Sequence, residues 1–256
     1  MSLKAIPFTA LETLFLDVGN TLIAMDLEPL RLELSGRGID AELGALSCAE
    51  AAARPILSAA LERIVSTEGL SGFAFYLQAI LSQLEPAAGR LSAAQLHALA
   101  EELAAALARL GKQRLWSRVL PGVPAALEGF QAAGLRLVVV SNSDGTVESV
   151  LKAQGLRDFF DLVFDSHWVG FEKPDPRIFE LALEASQSAP AHTLHVGDLY
   201  AADVAGARAA GIHALLLDPH GEWDGVDCAR LPDLPALLEA LRRARGLEIF
   251  SRAGRR

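Results

Sequence analysis

Beyond about residue 122 the chain alternates short apolar runs with helical patterns, and this alternation limits its possible folds more than any other feature. Leu135-Arg136-Leu137-Val138-Val139-Val140, Thr193-Leu194-His195-Val196 and His213-Ala214-Leu215-Leu216-Leu217 are apolar segments of strand length. Near-continuous runs of this kind suit strands buried on both faces. Helical patterns occupy 123–133, 147–154, 176–185, 201–210 and 234–244. Pro176 opens one of them, where its missing N–H is no loss. Gly155 and Gly211 stand where two others should stop. Such alternation implies a parallel sheet covered by helices on both faces. Thr13-Leu14-Phe15-Leu16 adds a further strand near the start of the chain.

Between residues 24 and 116 the strand patterns vanish. Helices are expected over 27–37, 49–65 and 72–84, the last with Ser71 as its cap. Ser92-Ala93-Ala94-Gln95 fits a capping box. The helix it starts carries Leu96, Leu99, Leu103, Leu107 and Leu110 on one stripe. The expected architecture is a doubly wound, Rossmann-like α/β core formed by residues 1–23 and 117–256, with a helical bundle inserted at 24–116.

Composition narrows the function classes. With 256 residues, 51% of them hydrophobic, the chain can bury a sizeable core. A net charge of −9 without a basic stripe argues against nucleic acid as a partner. Arg242, Arg243 and Arg245, with Arg252, Arg255 and Arg256, read as a solvated helix end and tail, a basic patch being the alternative. No apolar run reaches membrane-spanning length, and no signal segment is expected. Cys48 and Cys228 suggest neither a disulfide framework nor a metal-ligand pair, so a reducing, cytoplasmic setting is expected.

Four segments carry chemistry. The first strand ends in Asp17-Val18-Gly19-Asn20-Thr21, and the strand at 135–140 ends in Ser141-Asn142-Ser143-Asp144-Gly145. Lys173, one of only four lysines, lies in the proline-stiffened stretch Gly170-Phe171-Glu172-Lys173-Pro174-Asp175-Pro176. The strand at 193–196 ends in Gly197-Asp198, with Asp203 five residues on. Open α/β sheets place their sites at the carboxyl ends of strands, where three of these segments fall. Each residue alone has a plainer reading: Asp17 as a loop cap, Ser141 as a strand-end hydroxyl, Lys173 as a surface charge, Asp198 and Asp203 as helix caps. His195, inside its strand, reads as a core histidine.

In chain order, Asp, hydroxyl, Lys and paired acids resemble the haloacid dehalogenase superfamily of aspartyl-nucleophile hydrolases, over about residues 11–217. The resemblance implies that 24–116 is a helical cap of the subfamily whose cap enters between the first two motifs. It implies an aspartyl-phosphate route with Asp17 as nucleophile, which splits one difficult displacement into two. Ser141, Asn142 and Thr21 would hold phosphate oxygens, and Lys173 would offset the charge of Asp17 and of an incoming anion. Mg²⁺ would sit on Asp17, Asp198 and the Gly19 carbonyl, with Asp203 holding its water shell. The substrate class implied is a small phosphorylated molecule.

One position departs from the pattern. Phosphatases of the superfamily usually carry a second Asp two residues after the nucleophile, and here that residue is Gly19. The missing side chain is the proton donor to the leaving oxygen, a role usually worth about 10²–10⁴-fold. The chain resembles a branch with Asp-x-x-x-Thr and no second acid. Asp26, Glu28, Tyr76 and His97 are candidates for a donor borrowed from the cap. Phe73, Phe75 and Tyr76 would either pack in the cap or meet an apolar part of the substrate. Two alternatives stay open: a non-catalytic phosphate- or metal-binding module, and a 2-haloacid dehalogenase. Against the dehalogenase stand Gly197-Asp198 and Asp203, since such relatives usually carry Tyr at the position of Gly19 and lack the Gly-Asp pair.

Overall fold

The computed structural model describes residues 3–61 and 69–247. The core opens with β1 (Thr13–Leu16). The chain then passes through β2 (Ile23–Met25) into α1 (Glu28–Ser35), α2 (Leu43–Ala60), α3 (Gly69–Gln83), α4 (Glu85–Ala88), α5 (Ala93–Ala108) and α6 (Lys112–Leu115). It returns through β3 (Trp116–Val119) to α7 (Val123–Ala132), β4 (Arg136–Ser141), α8 (Val147–Ala153), β5 (Leu162–Asp165), α9 (Ser166–Val169) and α10 (Pro176–Ser186). Then come β6 (Thr193–Gly197), a π-helical turn (Tyr200–Ala205) running into α11 (Gly206–Ala209), β7 (His213–Leu217), β8 (Ala229–Leu231) and α12 (Leu234–Arg245).

Six strands form one parallel sheet in the order β5-β4-β1-β6-β7-β8. Side chains alternate between its faces. Leu14, Leu16, Val139 and Val196 pack with Leu127, Phe130 and Leu237 on one side. Phe15, Val138, Val140 and Leu216 pack with Ile178 and Phe179 on the other. Phe15, Phe130 and Phe179 are fully buried, and truncating any of them to Ala should cost about 3–5 kcal/mol. The helices α1–α5 close over a core of their own, which includes Leu34, Leu46, Leu77, Ile80 and Leu103. They form the cap expected of the insert. The antiparallel pair β2–β3 carries the chain between the two parts.

Several expectations are adjusted. The capping box at Ser92 and Gln95 forms, and Leu96, Leu103 and Leu107 are buried. Ser71 caps nothing, because α3 is already helical at Gly69. Helix α2 starts earlier than residue 49, without a side-chain cap at Glu42 to announce it, and continues through Pro55. The expected stretch up to Val65 runs beyond the described residues, as do Arg252, Arg255 and Arg256. Strands β2, β3, β5 and β8 were not expected; at three or four residues each, they are too short for a periodic signal. The helix expected over 201–210 opens as a π turn, which matters for Asp203. Among the described residues no helix is long and apolar enough to cross a membrane.

Candidate active site

Strands β4 and β6 flank β1, so the sheet order reverses at β1 and a crevice opens at the carboxyl ends. Asp17 follows β1, Ser141 ends β4 and Asp198 follows β6; all three are buried. Asp17 Oδ1 accepts hydrogen bonds from Lys173 Nζ at 2.7 Å and Ser141 Oγ at 3.0 Å. Lys173 Nζ also donates to Asp203 Oδ1 at 2.7 Å. Asp203 Oδ1 lies 2.9 Å from His195 Nε2, and Oδ2 accepts the Leu199 N–H at 2.9 Å. The sequence thus brings Asp17, Ser141, Lys173, Asp198 and Asp203 together. His195 is buried in its strand as expected, but it also orients Asp203.

Of the other two expected phosphate ligands, Asn142 lines the cavity and Thr21 does not. Asn142 spends its amide on the lysine loop: Oδ1 accepts the Lys173 N–H at 2.7 Å, and Nδ2 donates to the Lys173 carbonyl at 2.9 Å. It delivers Lys173 to the site. Thr21 is buried outside the cavity lining, and its hydroxyl has no partner among the described residues. Asp165 escaped notice in the sequence, although an Asp before Ser-His has the look of a helix cap. It accepts the N–H groups of Gly145, Val147 and His167 at 3.1–3.2 Å and so shapes the loop beyond Ser141.

The cap closes the site with polar groups of its own. Asn20, held at a φ of 51°, donates from Nδ2 to Glu50 Oε1 at 3.0 Å, Tyr76 OH at 3.3 Å and Asp198 Oδ2 at 3.3 Å. Glu50 takes Arg54 in a fork, Nε at 2.9 Å and Nη2 at 2.6 Å, and accepts the Tyr76 hydroxyl at 2.5 Å. Arg54 Nε stands 3.6 Å from Asp198 Oδ2. Ser58 Oγ accepts the Ala201 N–H at 2.8 Å, a further tie between cap and core. A cavity of about 540 Å³ lies between the two parts, lined by Asp17, Gly19, Lys173 and Asp198 below and by Arg54, Phe73 and Tyr76 above. Phe75 packs in the cap. Asp26, Glu28 and His97 lie outside the lining; Glu28 holds Arg31, and His97 faces Gln78 on the surface.

The charges explain one another. Burial works against the ammonium of Lys173, but Asp17 and Asp203 hold its pKa above that of an ordinary lysine. Burial also resists ionisation of Asp203, yet Lys173 and His195 overcome it and keep that carboxyl well below the usual range. Asp17, with fewer donors, is raised by burial despite Lys173. Asp198 is pushed up to about 8 by burial, against the pull of Arg54 and with repulsion from Asp17, Asp203 and Glu50. Burial, then the Glu50 charge, raises the Tyr76 phenol.

Among the described residues, four buried carboxyl groups, Asp17, Glu50, Asp198 and Asp203, are thus met by the buried cations Lys173 and Arg54. A divalent cation fits that excess. Asp17, Asp198 and the Gly19 carbonyl are hard oxygen donors of the kind Mg²⁺ accepts alongside water and phosphate. Among the described residues no group of three or more His, Cys, Asp or Glu side chains is arranged to hold a metal ion by itself. Both oxygens of Asp203 are engaged by Lys173, His195 and Leu199.

The chain is similar to several known proteins. Haloacid dehalogenase-like hydrolase domain-containing protein 3 of Bos taurus is 35% identical over 241 residues, 90% of this chain and 94% of that protein. The glyceraldehyde 3-phosphate phosphatase of Methanothermobacter thermautotrophicus is 35% identical over 133 residues, 48% of this chain and 59% of that protein. Among solved structures, the HAD-hydrolase YfnB of Bacillus subtilis bound to magnesium shares the fold, with a TM-score of 0.61 at 23% identity over 90% of this chain and 98% of that one. The family description "haloacid dehalogenase-like hydrolase" matches residues 11–211. With this family matched over residues 11–211, and a relative 35% identical over 90% of the chain, the chain belongs to the haloacid dehalogenase-like hydrolases.

Proposed function

We propose that the protein is a Mg²⁺-dependent phosphohydrolase of small phosphorylated metabolites, of the branch that lacks the second acid after the nucleophile. The domain division proposed is a core of 1–23 and 117–256 with a substrate-enclosing cap of 24–116. The observation that carries the reading is Asp17. One oxygen is pinned by Lys173 and Ser141, while Oδ2 faces Gly19 at the cavity floor.

In this reading an Asp17 carboxylate oxygen attacks phosphorus, and the ester oxygen leaves with the bonding pair. Water then cleaves the aspartyl phosphate and regenerates Asp17. Lys173 holds Asp17 ionised and offsets the approaching charge. Asp203 and His195 fix Lys173, and Asn142 fixes its backbone. Mg²⁺, held by Asp17, Asp198 and the Gly19 carbonyl, would supply charge compensation for phosphate oxygens. The cap excludes water once substrate is enclosed.

Support comes from the charge excess of the site, from a phosphatase among the relatives and from a structure of the same fold that was solved with magnesium bound. The test is turnover of a panel of phosphate esters and 2-haloacids, with Mg²⁺ or EDTA, by the natural chain and by Asp17→Asn. Mg²⁺-dependent ester hydrolysis abolished by Asp17→Asn is expected. Metal-independent release of halide would overturn the reading. Gly19 favours a second reading, a phosphate-binding module, and Mg²⁺-dependent phosphate binding without turnover of any ester would establish it instead.

A further inference from the structure

The space that a second acid would occupy is filled from the cap side. A Cβ built on Gly19 would lie 3.3 Å from Cζ3 and 3.5 Å from Cη2 of Trp116, and 3.9 Å from Asp17 Oδ2. Gly19 has no left-handed φ, so its backbone does not demand glycine. The indole and Asp17 Oδ2 thus both lie against the Cβ position of Gly19, and all three residues line the cavity.

Trp116 is well placed to hold that position. It opens β3 and pairs with Met25 across the ribbon that joins cap and core. It packs against both the sheet core and the cap core. The ring is therefore defined by the seating of one part on the other. The same cavity lining includes Trp116 and the apolar residues Leu57, Leu70, Phe73 and Leu115. The charged groups of the lining are mostly spoken for: Lys112 meets Asp144 at 3.3 Å, and Arg54 is forked on Glu50.

We propose that Trp116 is a specificity-determining residue: its indole forms the platform for the leaving group, and the site selects phosphate esters with flat aromatic leaving groups. The inference rests on the phosphohydrolase reading. Without an acid at Gly19, the leaving oxygen must depart as a stabilised anion, and an aryl oxide is one. The same substitution that removes the proton donor makes room for the ring that would stack on an aryl group. Offset or edge contact between two rings corresponds to roughly two- to tenfold in affinity.

The test is calorimetric binding of phenylphosphonate and methylphosphonate, both inert to hydrolysis, to the full chain in Mg²⁺ buffer. The natural protein should bind phenylphosphonate several-fold more tightly. Trp116→Leu and Trp116→Ala should bring the ratio close to one, while Trp116→Phe should keep most of it. A merely structural role would weaken both ligands alike and leave the ratio unchanged, which would overturn the proposal. If Trp116→Ala fails to fold, Trp116→Leu carries the comparison. Hydrolysis of phenyl phosphate is measured in parallel. Turnover with no preference for the phenyl ligand in the natural protein refutes the platform alone. A phenyl preference lost in Trp116→Leu, without turnover, refutes the hydrolase reading and leaves the platform standing. Binding of neither ligand, with no turnover, refutes both.

Discussion

Lys173→Met tests the charge arrangement of the site. Methionine retains an unbranched side chain but withdraws the ammonium from between Asp17 Oδ1 and Asp203 Oδ1, each 2.7 Å away. Lys173 is 3% exposed, so its two ion pairs are buried. Removing one partner of a buried pair typically costs about 3–5 kcal/mol. Protonation sets a ceiling on that loss. Neutralising one aspartate of ordinary pKa 3.8 costs about 4.4 kcal/mol at pH 7 and about 1.6 kcal/mol at pH 5. The folded variant can always take up that proton, because its carboxyl pKa is raised above the unfolded value. The deficit is therefore largest at neutral pH and shrinks as pH falls. Urea unfolding in EDTA should show Lys173→Met less stable than the parent by about 3–4 kcal/mol at pH 7 and by under about 2 kcal/mol at pH 5. Adding Asp203→Asn to Lys173→Met should recover part of the loss at pH 7, since one of the two stranded acids is gone. A deficit below about 1 kcal/mol at pH 7, or one equal at both pH values, would refute the reasoning.

Three further outcomes are expected. Asp198→Ala should weaken Mg²⁺ binding by calorimetry more than Asp203→Ala does, since both Asp203 oxygens already serve Lys173, His195 and Leu199; a larger effect at Asp203 would reverse the assignment. In EDTA, stability should fall as pH rises from about 4 to about 8, by at most about 1.4 kcal/mol per unit from Asp198: its carboxyl, pushed from 3.8 up to about 8, keeps in the folded chain a proton that the unfolded chain has lost. Mg²⁺ should flatten this slope, and rising stability across the interval in EDTA would contradict it. Gly19→Asp should raise turnover of alkyl phosphates more than of aryl phosphates, and more clearly in combination with Trp116→Phe, because its Cβ alone comes within 3.3 Å of the indole; equal gains on both ester classes would mean that another group already supplies the proton.

The core was legible because its residues report their environment directly. Val138, Val139 and Val140 sit in a strand covered on both faces, so no polar residue interrupts the run. Asp17, Ser141 and Asp198 were legible because a polar residue at the end of such a run has few structural uses. Lys173 was legible as a scarce residue in a stiffened loop, whereas the clamp that the Asn142 side chain places on that loop was not. In the cap, Phe73 and Tyr76 were singled out and line the cavity, but Glu50 and Arg54 were not legible. Glu50 and Arg54 are four apart on α2, and that spacing usually marks a solvated surface pair. Only the tertiary fold turns this face inward. Trp116 was equally silent, since nothing local to a three- or four-residue ribbon reveals what its ring covers.

The cap polar cluster follows from the same charge logic as the floor. Asp198 is buried, and its carboxyl is expensive to ionise. Arg54 brings a positive charge to 3.6 Å from it, but Glu50 is needed to hold the guanidinium in that pose, and Glu50 adds a negative charge of its own. The cap therefore contributes almost no net charge, and the excess on the core carboxylates persists when the cap is seated. What the cap contributes is alignment. Asn20 donates to Glu50 and Tyr76 above and to Asp198 below, and its φ of 51° is one that asparagine tolerates better than most residues. Asn20 lies immediately after Gly19, whose backbone faces Trp116. The loop that carries the nucleophile thus touches the cap through polar contacts on one side and an aromatic ring on the other, so displacement of the cap would disturb the nucleophile's loop directly.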